Sequence, residues 1–379
     1  MSKRRVVVGM SGGVDSSVAA ALLKEQGYEV IGVTLNLSPR LDLDRAVERD
    51  DACCTLAAAE DARRAADQLG IDHYCLNFRE VFAEKVIGNF VAEYRRGRTP
   101  NPCIRCNDYV KFGAVLDKAR AIGADFVATG HYARVERDHA TGRYLLRKGV
   151  DPHKDQSYVL YVLTQEELAH TLLPLGGLSK QQTRELARKF GLRTAEKRES
   201  QEICFVVGDD YGSFLRQVAP EVTRTGPVVD QEGKVIGEHR GIAFYTVGQR
   251  RGIGIATGQP LYVVEIDAQR NALVVGPEAA LYRDEVVADE ANLVSVAALE
   301  GPTRVQAKVR YRMPAADGWL SQPSPDRLRL RFDRPQRAIT PGQSLVCYQD
   351  DTVVGGGTIL TSSARDAPSR ASRAPATQG

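Results

Sequence analysis

No apolar run in this chain approaches the roughly 20 residues that a membrane-spanning helix requires, which argues against a transmembrane protein. The basic start, Met1-Ser2-Lys3-Arg4-Arg5, leads into an apolar run too short for the core of a signal peptide and broken at Gly9. The expectation is a soluble, cytoplasmic protein with no membrane partner. Charge of one sign is also scarce. A net +3 permits a nucleic-acid partner without announcing one, so any basic surface must be a local patch. Repeats of solenoid type are missing. Seven cysteines, an odd number, do not suit a disulfide framework in a reducing compartment. Some are read as chemical and others as buried. What is present is ordinary globular composition, 43% hydrophobic and 26% charged, over 379 residues, enough for two or three domains.

Two familiar phosphate-binding patterns are absent as well. There is no G-x-x-x-x-G-K-[ST], so the lysine that reaches β and γ phosphates in Walker-type proteins is missing, and there is no G-x-G-x-x-G near the start. Instead a β-branched run ends in Gly9-Met10-Ser11-Gly12-Gly13-Val14-Asp15-Ser16, followed by apolar residues at helical spacing. That reads as strand, tight loop and helix. Paired glycines let backbone N–H groups turn inward, and the first helical turn adds unpaired donors and a positive dipole end. An ordinary glycine-rich turn is the bland alternative. The order Ser-Gly-Gly-Val-Asp-Ser resembles the PP-loop of ATP pyrophosphatases, which split ATP between the α and β phosphates and leave AMP on the substrate.

Further along, strand patterns at 28–35, 71–78 and 125–129 alternate with helical patterns at 53–69, 81–95 and 109–122. This βα rhythm predicts an α/β doubly wound parallel sheet with ligands at the carboxyl ends of its strands. Residues 36–51 read as a polar excursion over the ATP site. A hairpin is expected around Gly142, and a helix from the cap Ser179 to Gly191. The domain reading is a PP-loop ATPase and catalytic domain over 1–212, a small central β-rich domain over 213–281, a C-terminal β-barrel over 282–363 and a disordered tail over 364–379.

The second informative stretch is Thr99-Pro100-Asn101-Pro102-Cys103-Ile104-Arg105-Cys106-Asn107. Two prolines in three residues argue against helix there and present the C-x-x-C on a stiff loop just ahead of a helix. Arg105 beside it and Lys111 nearby favour thiolate. A third thiol, Cys204, follows in Gln201-Glu202-Ile203-Cys204-Phe205; taken alone, it reads as a small buried hydrophobe.

Together GMSGGVDSS, TPNPCIRCN, ATGHY, KDQSYVLY, ICF and TPGQS make residues 4–361 resemble the tRNA-specific 2-thiouridylases. The resemblance implies a PP-loop domain, a central domain and a C-terminal barrel. It also implies ATP-driven adenylation of the 2-oxygen of the wobble uridine of tRNA, and its replacement by sulfur from a protein persulfide. Carried across, Gly9 to Ser16 hold the ATP phosphates with Mg²⁺, and Leu35 and Gly130 lie near the nucleotide. Leu35 stands where the family often has methionine. Cys106 is the nucleophile and Cys204 the persulfide bearer, with a Cys106–Cys204 disulfide as the product after sulfur leaves. Asn101, Pro102 and Cys103 lie near the target base, and Lys154, Asp155, Gln156, Arg310 and Tyr311 touch tRNA. A cysteine desulfurase or sulfur relay protein supplies the persulfide.

Cys103 departs from the family, many of whose members have aspartate there. Cys103, Cys106 and Cys204 are therefore also a ligand set for a [4Fe–4S] cluster with one iron open. A zinc on Cys103, Cys106, Cys53 and Cys54 is the structural rival, weakened because adjacent cysteines are awkward tetrahedral ligands. Cys53, Cys54, Cys75 and Cys347 are otherwise read as buried and inert. The segment 246–255, with Arg250 and Arg251 among glycines, suits either a sugar-phosphate track or a plain turn. Arginines at period two, such as Arg327, Arg329 and Arg331, suit one outward sheet face. His131 reads as structural or as a nucleotide neighbour. The rival functions are a PP-loop amidating ligase and a non-catalytic RNA binder. The first lacks a glutaminase region, and the second has no use for an ATP loop.

Overall fold

The computed structural model describes residues 3–37, 56–197, 204–206, 211–255 and 258–360. The expected polar excursion, Cys53, Cys54 and the C-terminal tail lie outside the described residues.

Strands β1 (Arg5–Gly9), β2 (Glu29–Asn36), β3 (Asp72–Asn77) and β4 (Phe126–Ala128) form the predicted parallel sheet. Two hairpin strands, β5 (Ala133–Arg137) and β6 (Tyr144–Lys148), follow, and the two-residue β7 (Thr171–Leu172) adds a fifth strand to the sheet, in the order β3-β2-β1-β4-β7. The chain winds outward from β1 to β3, then crosses to the other side of β1. The switch point therefore falls between β1 and β4, where an open α/β sheet leaves a crevice for a ligand.

Alternation along β1 sends side chains to two cores. Val6 and Val8 join helices α1 (Val14–Glu25) and α2 (Leu56–Leu69), while Val7 joins the helical segments 79–95 and 102–121 on the opposite face. Helix α1 is buried almost all round because Ser16, Ser17, Ala19, Ala20 and Ala21 let it lie close to the sheet. It stops at Gly27, as the sequence predicts, with Gly27 and Tyr28 donating to Lys24 and Leu23 carbonyls.

Beyond residue 211, strands β8 (Gly226–Val229), β9 (Val235–His239), β10 (Tyr262–Asp267) and β11 (Ala272–Gly276) make a small sheet. Its apolar side shares a cluster with Phe90, Val91 and Tyr94 of the 79–95 helix. Six strands then close a barrel: β12 (Tyr282–Leu293), β13 (Thr303–Lys308), β14 (Ala316–Ser324), β15 (Arg327–Arg337), β16 (Ser344–Gln349) and β17 (Thr352–Ile359), with β12 pairing both β15 and β17. Along β15, Leu328, Leu330 and Phe332 point inward while Arg327, Arg329 and Arg331 lie on the outer face, as the period of two predicts.

Several expectations are corrected. The C-x-x-C does not sit on a loop: Pro102 opens the helix Pro102–Cys106, because proline fits the first helical position, where its missing N–H costs nothing, and Asn101 caps it by accepting from the Cys103 N–H at 3.2 Å. Cys75 is exposed rather than buried, since β3 is the edge of its sheet. β14 carries a Gly and a Pro and β17 three glycines, residues that disfavour strand in a sequence pattern.

The hairpin is where expected, but its place in the molecule is not. Thr352 of β17 pairs with Arg147 of β6, so β5 and β6 extend the barrel sheet from within the N-terminal half of the chain. Arg134 and Arg147 both grip Asp351, at 2.5 and 2.7 Å.

Candidate active site

The loop after β1 folds as a donor cradle. Gly13 caps α1 without any side-chain acceptor, leaving the first N–H groups of the helix to an anion. Gly12 has φ +70°, and a Cβ there would sit 2.2 Å from the Ala58 carbonyl oxygen, so only glycine fits. Gly130, beyond β4, faces the loop from across the switch point; a Cβ on it would lie 2.7 Å from the Asp15 carbonyl carbon. Ser16 Oγ accepts from the Ser11 N–H at 3.2 Å and donates to the Gly13 carbonyl at 3.2 Å, holding the loop shut on itself. Met10 is buried beneath, and the Thr34 hydroxyl donates to its carbonyl at 2.8 Å. Of the predicted nucleotide residues, Gly9, Met10, Ser11, Gly12, Gly13, Val14, Asp15, Ser16 and Gly130 thus gather at the carboxyl ends of β1 and β4, with Leu35 near the end of β2.

Sequence reasoning missed three groups here. Lys180 Nζ donates to both Asp15 oxygens, at 2.7 and 2.8 Å, and the Tyr132 hydroxyl donates to Asp15 Oδ1 at 2.7 Å. Lys197 Nζ reaches the Gly12 carbonyl at 3.3 Å and Asp61 at 2.7 Å. Two ammonium groups therefore border the phosphate cradle. The signal available in the sequence was a lysine directly after the predicted cap Ser179. His131 is buried with Nδ1 2.7 Å from the Thr129 hydroxyl, and burial, aided by Lys111, holds its imidazole well below its ordinary pKa. The residue lies next in sequence to Gly130.

Cys106 and Cys204 lie on the other face of the sheet. Cys106 is buried among Val7, Val33, Val110 and Leu116, and Cys204, Phe205 and Leu35 pack against that same cluster. Cys103 is exposed, Cys106 buried and Cys204 half-buried. Among the described residues no three His, Cys, Asp or Glu side chains are grouped to hold a metal ion. Arg105, placed by the sequence beside the thiols as their activator, instead pairs with Glu290 of β12 and lies 3.9 Å from Asp108. Cys347 is in the barrel core, where burial pushes its thiol far up, in keeping with an inert residue.

Of the residues expected at tRNA, Asp155 and Tyr311 meet directly. The Asp155 carboxylate accepts from the N–H groups of Gly149 and Ser157, both at 3.1 Å, and the Gln156 side chain accepts from the Tyr132 N–H at 3.0 Å. These two side chains shape the segment from inside. The Tyr311 hydroxyl donates to the Asp155 carbonyl at 3.1 Å. Arg310 donates to the carbonyls of Val247 and Ala338, at 2.8 and 3.0 Å, tying the central region to the barrel. Lys154 is half-buried, in a tight turn closed on the Asp151 carbonyl. Arg250 and Arg251 are exposed on the glycine-rich turn.

Residues 4–208 match the tRNA methyl transferase HUP domain, 212–277 the tRNA methyl transferase PRC-barrel domain and 283–359 the aminomethyltransferase β-barrel domain. The chain is 55% identical over 355 residues to the tRNA-specific 2-thiouridylase MnmA 2 of Caldanaerobacter subterraneus subsp. tengcongensis, covering 94% of this chain and 97% of that one. It is 53% identical over 360 residues to the tRNA-specific 2-thiouridylase MnmA of Pelotomaculum thermopropionicum, covering 95% and 98%. The MnmA of Clostridioides difficile is 50% identical over 356 residues, covering 94% and 98%. The family descriptions speak of methyl transfer and the relatives' names of thiolation. A PP-loop together with Cys106 and Cys204 at one apolar cluster accords with thiolation.

Proposed function

The chain belongs to the family of tRNA-specific 2-thiouridylases, and from that premise we propose that it thiolates the wobble uridine through an adenylated base and a persulfide on Cys204. A carbonyl oxygen is a poor leaving group. Attack of O2 on the α phosphate of ATP expels diphosphate and turns that oxygen into the leaving group AMP. The backbone donors of Gly9 to Ser16, with Lys180 and Lys197 nearby, suit the charge on the phosphates. Mg²⁺ bound with ATP would neutralise part of that charge.

Sulfur arrives from a persulfide donor, a cysteine desulfurase or relay protein, as Cys204–S–SH. The Cys106 thiolate attacks the Cys204 sulfur, forming the Cys106–Cys204 disulfide and releasing hydrosulfide. Hydrosulfide adds to C2, AMP leaves, and loss of a proton gives the thiocarbonyl. An external dithiol then reduces the disulfide for the next turn. Asn101, Pro102 and Cys103 lie near the target base in this reading, and Lys154, Arg310 and Tyr311 near the tRNA backbone. The work belongs in the cytoplasm, where tRNA and ATP are found.

The observation that supports the proposal is that Cys204 and Leu35, the latter near the end of β2, pack against the apolar cluster that holds Cys106. Cys204→Ala and Cys106→Ala are expected to abolish 2-thiouridine formation while ATP is still cleaved to AMP in the presence of tRNA. Thiolation by Cys204→Ala at the wild-type rate overturns it.

A further inference from the structure

Phe205, the residue after Cys204, packs against two apolar cores at once: the one that holds Cys106 and the one beneath the small central sheet. Its ring meets Phe82 at 5.6 Å and 75°, Phe90 at 5.3 Å and 89°, and Phe214 at 5.4 Å and 61°, centre to centre. All three are edge-to-face contacts, the arrangement that the charge distribution of aromatic rings favours. Phe82 and Phe90 come from the helical segment 79–95 and are 1% exposed, whereas Phe214 lies on the helix Tyr211–Val218, which opens the central region. Phe90 and Phe214 are themselves paired at 6.2 Å, and Tyr94, 4.9 Å from Phe90, stacks on Tyr211 at 6.1 Å. The socket around Phe205 is therefore built from both sides of that boundary.

A phenylalanine ring has no group to move a proton or to hold a phosphate, so what it contributes here is the place it fixes. Neighbouring Cα atoms stand about 3.8 Å apart, and a ring locked by three others leaves the residue before it little room to swing. We infer that Phe205 is a positioning residue for sulfur transfer: its socket, closed by Phe214 of the central region, holds Cys204 within reach of Cys106. The inference rests on the reading of Cys204 as the persulfide bearer, and it adds that the central region sets the distance between the two sulfur-handling thiols. Phe205 and Phe214 act through Cys204, and misplacement of a reacting group by about 1 Å costs about a hundredfold in rate.

The test uses the full-length protein with Phe205→Leu and, separately, Phe214→Leu, each of which keeps an apolar side chain but loses the ring contacts. Each protein is equilibrated with reduced and oxidised glutathione and quenched, and the Cys106–Cys204 disulfide is quantified by mass spectrometry. Its dependence on the glutathione ratio gives the effective concentration of one thiol at the other. Cys347, in the barrel core, reports unfolding through labelling by iodoacetamide under native conditions. Single-turnover sulfur transfer to tRNA is measured in parallel. The expected result is an effective concentration lowered about tenfold in both variants, sulfur transfer lowered about tenfold or more, and Cys347 as protected as in the wild type. The Cys106–Cys204 equilibrium at its wild-type value in either variant overturns the inference, whatever happens to sulfur transfer. So does the absence of that disulfide from the wild type at every glutathione ratio. A lowered equilibrium with Cys347 labelled as well also overturns it, because the ring then supports the whole fold rather than the place of one thiol. Failure of the functional reading is separate: it shows as undiminished thiolation by Cys204→Ala, with the disulfide equilibrium still answering to Phe205→Leu.

Discussion

At the scale of the residue, the ion pair between Lys180 and Asp15 is the contact with most bearing on the nucleotide site. The lysine ammonium is largely shielded and donates to both carboxylate oxygens, so it stands at the cradle already desolvated and directed. Lys180→Met is expected to weaken ATP binding by about tenfold, equivalent to about 1.4 kcal/mol, as read by equilibrium titration with a non-hydrolysable analogue; affinity equal to wild type sinks the assignment. The loop was legible in the sequence because its residues are contiguous and their types dictate the turn. Lys180 was not, since it lies 165 positions from Asp15 and nothing local marks it as a partner. Arg105 shows the opposite error, a cation adjacent in sequence to the thiols whose strongest partner is a carboxylate on another domain.

Among the elements, the turn between β1 and α1 has the least tolerance. Gly12→Ala is expected to destabilise the fold by about 1 to 3 kcal/mol and to abolish ATP binding, because the new methyl meets the backbone of α2. Thermal denaturation with an ATP titration checks both, and an unchanged midpoint refutes the argument. The parallel sheet could be read from β-branched runs alternating with helical ones, each fixed by its own composition. Strand β17 could not. Its three glycines look like a breaker, and close packing explains them: a Cβ would meet the Asn292 carbonyl at Gly355, the Leu345 carbonyl and Tyr161 ring at Gly356, and the Asp289 carbonyl at Gly357. The start of the 102–121 helix was misread for a related reason: a proline forbids helix behind it and favours helix ahead of it, and the pattern alone does not say which side wins.

For the molecule as a whole, the junction between barrel and catalytic domain carries an uncomfortable charge. Asp289 is pushed up to about 6 by burial, with Glu290 and Glu93 adding to the shift and Arg98 opposing it. A carboxyl whose folded pKa exceeds its unfolded value of about 3.9 favours the folded state below that lower value. It gives this stability up as pH rises through about 6. Asp289→Asn is therefore expected to be more stable than wild type at pH 8, with the difference shrinking toward pH 4. A difference in melting temperature that does not vary with pH refutes this. The junction itself could not be read, because its residues come from three separated stretches and none forms a motif alone.

The hairpin of β5 and β6 has a consequence in time. Arg147 and Asp351 are 204 residues apart, and a ribosome adding about 5 to 20 residues per second takes roughly 10 to 40 s to travel between them. Throughout that interval the nascent chain carries an unsatisfied strand edge on its finished portion. The final stitch is made only as the last strand emerges, so a message cut short upstream of β17 yields a half-zipped polypeptide prone to clumping.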